Sequence, residues 1–192
     1  MNIRLANRDD DKKVLAQLIY ETDRFIYPYW FSDKNEGINV IAELLENENS
    51  IFYYKNCVVA EIDGQIVGLI MFYKNNGSFK FDYNKYILLG FESEHVINNY
   101  VLKAQQEIIP NTAYVFAVRV KDEYKRQGIA CKMFEYVFSS LPKNYTIEID
   151  VLVENTPAVN LYKKVGFEII NEYKGYNGYK KHKPPCYFMR KK

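Results

Sequence analysis

The sequence predicts an α/β (α+β) fold. It reads as a mixed, mostly antiparallel sheet flanked by helices, in a single domain over residues 1–192. Three observations predict it. Apolar, β-branched runs flank Asp63-Gly64, a strong tight-turn signal for a β-hairpin. The run Ala113–Val120 reads as a buried strand. It passes through a charged loop ending in Gly128 into a stretch whose apolar residues recur at helical spacing. A second strand, running from Ile149, ends in Asn155 and is followed by a further helical stretch closed by Gly166.

Taken in order, Asn2–Ala6 suits an opening strand. Asp9 or Asp10 then caps a helix whose apolar face is Val14, Leu15, Leu18 and Ile19. The pattern breaks at the aromatic stretch 25–31, where Pro28 opposes a continuous helix. That stretch reads as core packing or as the wall of a substrate pocket. Asp33 and Glu36 have capping-box spacing ahead of Ile38, Ile41, Leu44 and Leu45, so a second helix follows.

Ile51–Tyr54 and Val58–Ile62 are expected strands, and Gln65–Tyr73 pairs with the latter across Asp63-Gly64. Asn75-Asn76-Gly77 signals another turn, and Phe79, Phe81 and Tyr83 alternate like a strand. Ser93 is placed to cap a helix through Ile108, ahead of Pro110. Ile129, Met133, Phe134, Val137, Phe138 and Leu141 share one helical face. Thr156 suits an N-cap with Pro157 in the first turn, and Ala158, Leu161, Tyr162 and Val165 lie on one face. Phe167–Tyr173 reads as a strand, 176–179 as a loop, and Tyr187–Arg190 as a closing strand.

Composition excludes several classes. Hydrophobic residues make up 48% and charged residues 26%, which is globular. The net charge of +2 argues against a nucleic-acid coat. The charge is uneven: residues 1–96 hold 10 basic and 15 acidic side chains, and 97–192 hold 16 and 9. Cys57, Cys131 and Cys186 show no paired spacing, and two histidines cannot build a His-rich site, so neither a disulfide framework nor a metal centre is expected. Cys131 reads as a small buried residue. With no signal-like segment and no membrane-length apolar run, a cytoplasmic protein is expected, as a monomer or homodimer.

The loop Lys121–Gly128 opens a helix. It presents free backbone N–H groups at a positive helix end, where Gly128 lets an anion approach the backbone. Lys125, Arg126 and Lys132 add positive charge. This suits a phosphate-bearing ligand, although a glycine at such a junction also serves as a plain turn; Walker A and Gly-x-Gly-x-x-Gly spacings are absent. The stretch Lys125-Arg126-Gln127-Gly128-Ile129-Ala130 resembles the Arg/Gln-x-x-Gly-x-Gly/Ala pyrophosphate motif of the GCN5-related N-acetyltransferases (GNAT family). Asn155, Ala158, Leu161, Tyr162, Gly166 and Phe167 resemble their Asn-x-x-Ala-x-x-Leu-Tyr-x-x-x-Gly-Phe motif. The match runs from about Tyr114 to Phe167, with Lys125 departing from the family pattern at the first motif position.

The resemblance implies an acetyl-CoA-dependent N-acetyltransferase acting by direct transfer to a primary amine, on a small molecule or on a peptide or protein. It implies backbone donors at Arg126, Gln127, Gly128, Ile129 and Ala130 for the pyrophosphate, backbone groups of Val118, Arg119 and Val120 for the pantetheine arm and thioester, and Asn155 beside that arm. Tyr162 becomes the candidate acid: a phenol near pKa 10 stays protonated at neutral pH and can protonate a departing thiolate. By spacing alone the same tyrosine reads as a core aromatic. Asp150 is the leading candidate base, sharing a strand face with Glu148; Glu61 and Asp122 are weaker ones. In the family, the first helix and its following loop border the acceptor site. Two other readings stay open, a non-catalytic acyl-CoA-binding sensor or scaffold and a partner-binding module that keeps only the fold.

Overall fold

The structure is a computed structural model, and it describes residues 1–24, 27–28, 31, 33–48, 50–75, 111–174 and 184–192. Its centre is a seven-stranded sheet in the order β1-β2-β3-β4-β5-β7-β6. The strands are β1 (Asn2–Leu5), β2 (Cys57–Ile62), β3 (Gln65–Asn75), β4 (Thr112–Val120), β5 (Thr146–Leu152), β6 (Glu168–Lys174) and β7 (Pro185–Lys191). Every neighbouring pair is antiparallel except β4 and β5, which run parallel. Among the described residues, four helices flank the sheet: α1 (Lys12–Tyr20), α2 (Lys34–Leu45), α3 (Ile129–Ser140) and α4 (Thr156–Lys164). The expected mixed, mostly antiparallel architecture is therefore the observed one.

The two faces of the sheet carry separate cores. Leu15, Leu18 and Ile19 of α1 and Ile41, Leu44 and Leu45 of α2 pack with Val59, Leu69, Met71 and Ala117 on one face. Met133, Phe134 and Val137 of α3 and Val159 and Tyr162 of α4 pack with Val58, Ile70, Val115, Ile149 and Met189 on the other. Strand alternation sorts residues to the two sides, with Val58 and Val59 facing opposite ways. A bulge in β4 interrupts it: Met71 and Phe72 pair with Ala117 and Val115, which leaves Phe116 as the extra residue. Phe116 and Ala117 consequently both join the α1/α2 core.

Local signals account for most boundaries. Asp63 and Gly64 both adopt positive φ, 49° and 75°, as a type I′ hairpin turn requires. Asp33 caps α2, its side chain accepting the Glu36 N–H at 2.9 Å. Gly166, at φ 98°, closes α4. The Phe167 N–H donates to Tyr162 O and the Gly166 N–H to Lys163 O, the hydrogen-bond pair of a Schellman motif.

Several expectations are corrected. Asp11, not Asp9 or Asp10, caps α1, because Asp10 is held by Arg4 through contacts of 2.7 and 2.9 Å. Residues 51–54 form a turn entering a 3₁₀ segment, Tyr54–Asn56, instead of a strand; Phe52 is buried and its N–H donates to Ser50 Oγ. Strand β5 stops at Leu152, short of Asn155. Asn155 rather than Thr156 caps α4, its Oδ1 accepting the Ala158 N–H at 3.3 Å. Cys131 is half-buried. In the aromatic stretch, Tyr27 and Phe31 are buried against Tyr20, and the Phe31 N–H donates to Tyr27 O. The expected turn beyond Asn75, the strand through Phe79–Tyr83, the helix from Ser93 and the loop at 176–179 lie outside the described residues.

Candidate active site

The sheet parts at its only parallel seam among the described strands. The β4–β5 ladder pairs Thr112 with Thr146 through Val115 with Ile149 and stops there. Strand β4 continues to Val120 against β3, and β5 continues to Leu152 against β7. The two strand ends thus have no pairing to each other, and a cavity of about 130 Å³ lies between them. One wall is Tyr114–Val118 of β4, the other Ile149–Leu152 of β5. Asn155, Ala158 and Tyr162 from α4, Cys186 from β7, and Thr22, Asp23 and Tyr27 from the segment after α1 complete it.

Tyr162 is fixed from two sides. Its ring lies 5.8 Å from Phe134 in an edge-on arrangement and 6.0 Å from Phe167, across the same motif that ends α4. Burial alone pushes its phenol above the ordinary value, so the hydroxyl is protonated at any physiological pH. Among the described residues that hydroxyl has no hydrogen-bond partner. The core-aromatic reading and the cavity-lining reading are thus both true: the ring packs in the α3/α4 core while the residue borders the cavity.

Asp150 stands on the opposite face of β5 from Ile149 and Val151. Its Oδ2 accepts the Tyr114 hydroxyl at 2.6 Å and its Oδ1 the Tyr173 hydroxyl at 2.8 Å. Glu148 shares that face, as the alternation predicts, but it is bound by Arg190 at 2.8 and 3.0 Å and is absent from the cavity lining. The Tyr73 ring lies tilted beside Tyr114, ring centroids 5.7 Å apart. Burial first, then the charges of Glu148 and Asp150, push its phenol up to about 12.

The loop after β4 keeps the geometry its sequence suggests. Lys121 leads into a 3₁₀ turn, Asp122–Tyr124. Arg126 and Gly128 then take left-handed φ values of 61° and 76°, and Gly128 is the N-cap of α3. A Cβ built on Gly128 meets no atom within 4 Å, so the space above the helix start is open. Ile129 is buried and anchors the loop in the core, Ala130 is half-buried, and Arg126 and Gln127 are exposed. Lys125 turns to Asp122 at 2.6 Å. Val118 lines the cavity and Val120 is buried under α3. The Arg119 guanidinium turns away from the cavity to Glu21 at 3.2 Å and Asp122 at 3.0 Å.

The weaker base candidates are not brought to the cavity. Glu61 is engaged by Arg4 at 2.7 Å, beside Asp10, and Asp122 is a surface group held by Arg119 and Lys125. Sequence reasoning missed Tyr114, Tyr173, Asp23 and Cys186. Only Tyr114 carried a hint, as a hydroxyl in the mostly apolar middle of its strand. Among the described residues no cluster of metal-ligating side chains occurs.

The parallel seam thus opens into a cavity, and the helix started by Gly128 follows the central strand after one short loop. Residues 16–167 match the acetyltransferase (GNAT) family, and the chain belongs to that family. It is 28% identical over 178 residues to an N-alpha-acetyltransferase of Sulfurisphaera tokodaii, covering 91% of this chain and 83% of that protein. An N-alpha-acetyltransferase of Saccharolobus solfataricus is also 28% identical, over 78% of this chain and 70% of that one. An N-acetyltransferase from Staphylococcus aureus Mu50 superposes with a TM-score of 0.72 at 17% identity, over 99% of this chain and 100% of that one.

Proposed function

We propose that this acetyltransferase moves the acetyl group of acetyl-CoA to the α-amine of a peptide or protein N-terminus, by direct attack in a ternary complex. One observation carries the reading: a single cavity at the β4–β5 parting is lined by Tyr162, Asp150 and Asn155 together. The acceptor class draws on the two N-alpha-acetyltransferases that the chain resembles over most of its length.

The residues fit the coenzyme. The open space over Gly128 and the first N–H groups of α3 suit a pyrophosphate, held by the backbone of Arg126, Gln127, Gly128, Ile129 and Ala130. Lys125 and Arg126 add charge at the rim. The edge of β4 left unpaired at Val118, Arg119 and Val120 suits the amide groups of the pantetheine arm. Asn155 spends Oδ1 on its helix cap, which leaves its amide N–H₂ for that arm. Acetyl-CoA supplies an activated thioester, and no metal is required in this scheme.

Asp150, positioned by Tyr114 and Tyr173, accepts one proton from the amine as its nitrogen forms the new N–C bond. Tyr162 gives its proton to the departing sulfur as the C–S bond breaks, and its buried phenol is protonated beforehand. Among the described residues no helix is long and apolar enough to cross a membrane. The test is free-thiol release from acetyl-CoA across a panel of peptide amides, polyamines and free amino acids, with the products mass-analysed. Acetylation of peptide α-amines is expected. Coenzyme binding without thiol release from any acceptor would instead establish a non-catalytic acyl-CoA binder.

A further inference from the structure

We infer that Arg119 is a positioning residue: its ion pair with Glu21 holds the segment after α1 against the end of β4, and so sets how the acceptor is seated. The inference rests on the acetyl-transfer reading above, in which the coenzyme takes the β4 edge and the start of α3 and leaves the wall after α1 to the acceptor. Alternation along β4 sends Val118 and Val120 to the α3/α4 core and Arg119 to the other face. There its Nη2 donates to Glu21 Oε2 at 3.2 Å, 98 residues away in the chain, and its Nη1 to Asp122 Oδ1 at 3.0 Å. Neither Arg119 nor Glu21 lines the cavity. The residue before the one, Val118, and the residue after the other, Thr22, both do. The ion pair thus ties two walls of the cavity together from just outside it.

Folding alone does not call for this arginine. Arg119 and Glu21 expose 19% and 26% of their side chains, so solvent screens them less than a surface pair. Burial alone would raise the Glu21 carboxyl, yet bonds from Gln17, Lys34 and Arg119 hold it below the usual carboxylate range, so it is charged at neutral pH. The Arg119 Nε, however, is buried with no hydrogen-bond partner among the described residues. Such an unmet donor costs free energy that an apolar side chain of similar length avoids. Each acid also has a second cation, Lys34 on Glu21 and Lys125 on Asp122. What the arginine alone adds is a fixed span from strand to segment, because its planar fork holds two acids at once.

The experiment uses the full chain and a tripeptide amide from the thiol-release panel, at saturating acetyl-CoA. Glu21→Gln should raise KM for the peptide about fivefold, with kcat and the CoA dissociation constant within about twofold of wild type. Arg119→Met should raise KM to a similar extent while its thermal midpoint stays level or rises. The double variant should match the single ones instead of multiplying them, since both break one contact. Lys34→Gln removes the exposed partner of Glu21 and should leave KM within about twofold. An unchanged KM in folded Glu21→Gln, or multiplied effects in the double variant, would overturn the inference, and so would a KM that rises only where the thermal midpoint falls. Should Arg119→Met not fold, Glu21→Gln and Lys34→Gln decide alone. Silence of the wild type with every amine would sink the acetyl-transfer reading itself. An active enzyme indifferent to Glu21 would sink only this inference.

Discussion

Tyr114 on β4 donates a 2.6 Å hydrogen bond to Asp150 on β5, one residue past the last backbone pair that joins the two strands. A side-chain bond thus takes over where the ladder ends, and it fixes the Asp150 carboxylate at the mouth of the parting. If Asp150 takes the amine proton, Asp150→Asn lowers kcat by about 10²-fold or more and leaves acetyl-CoA affinity near normal. Tyr114→Phe acts through position and costs less. The check is steady-state kinetics on one acceptor beside CoA titration. Equal kcat in wild type and Asp150→Asn would leave water as the proton acceptor.

Tyr162→Phe separates chemistry from packing. The ring contacts with Phe134 and Phe167 survive, and a hydroxyl without a partner among the described residues is removed, so the thermal midpoint should hardly move. If Tyr162 protonates the sulfur, kcat falls by about 10²–10⁴-fold, and by less with a donor whose leaving thiolate is more stable. A Tyr162→Phe enzyme with wild-type kcat would confine this residue to the core.

Gly128→Asp should abolish the rise in thermal midpoint that CoA produces by mass action. The new carboxylate enters open space, so the loss is not steric damage to the core. The left-handed φ of 76° adds a strain of about 1 kcal/mol to the apo protein. Gly128→Ala shares the strain without the charge and should retain part of the binding, which differential scanning fluorimetry resolves.

Gly37→Ala tests packing behind the acceptor side. In an exposed helix the change would stabilise by about 1 kcal/mol. Here a Cβ would stand 2.7 Å from both the Phe31 and Tyr20 rings, in the α1/α2 core. Overpacking of about 1–3 kcal/mol outweighs the gain, so the thermal midpoint should fall. A rise would mean that the rings yield freely.

Acid should weaken the protein through Asp10. The bidentate Arg4 contact holds its carboxyl below the usual range despite burial. A depressed folded pKa stabilises above the unfolded value of about 3.9 and is lost as pH falls through the lower folded value. Asp10→Asn should therefore be less stable at neutral pH and show a flatter stability profile below about pH 4. Urea midpoints across pH measure this.

Legibility in the sequence followed the range of the physics involved. Asp63-Gly64, the Asp33–Glu36 spacing and Gly166 act within a few residues, and each appears in the structure as its local chemistry predicts. Asn155 and Thr156 compete for one cap, and only the end of β5 at Leu152 decides between them. Residues 51–54 are apolar like a strand, yet the buried Ser50 hydroxyl accepts the Phe52 N–H and turns the chain. The cavity was legible on the motif side, through Tyr162 and Asn155. Tyr114 and Tyr173 meet at Asp150 from positions 36 and 23 residues away in the chain, and no local pattern marks such a meeting.

The parting of β4 from β5 divides the proposed site into two kinds of material. The donor side is offered chiefly by main-chain atoms at the strand edge and helix start, which every side chain carries alike. The proposed acceptor side depends instead on side chains, Asp150 and the Tyr114 that positions it, whose identities matter if that reading holds. Random substitution at 125–127 should therefore yield mostly working enzymes, whereas the same library at 114 and 150 should yield few that keep the original acceptor and some that accept a new one. A lineage, or an engineer, can retarget such a protein by rewriting one wall while leaving its coenzyme untouched.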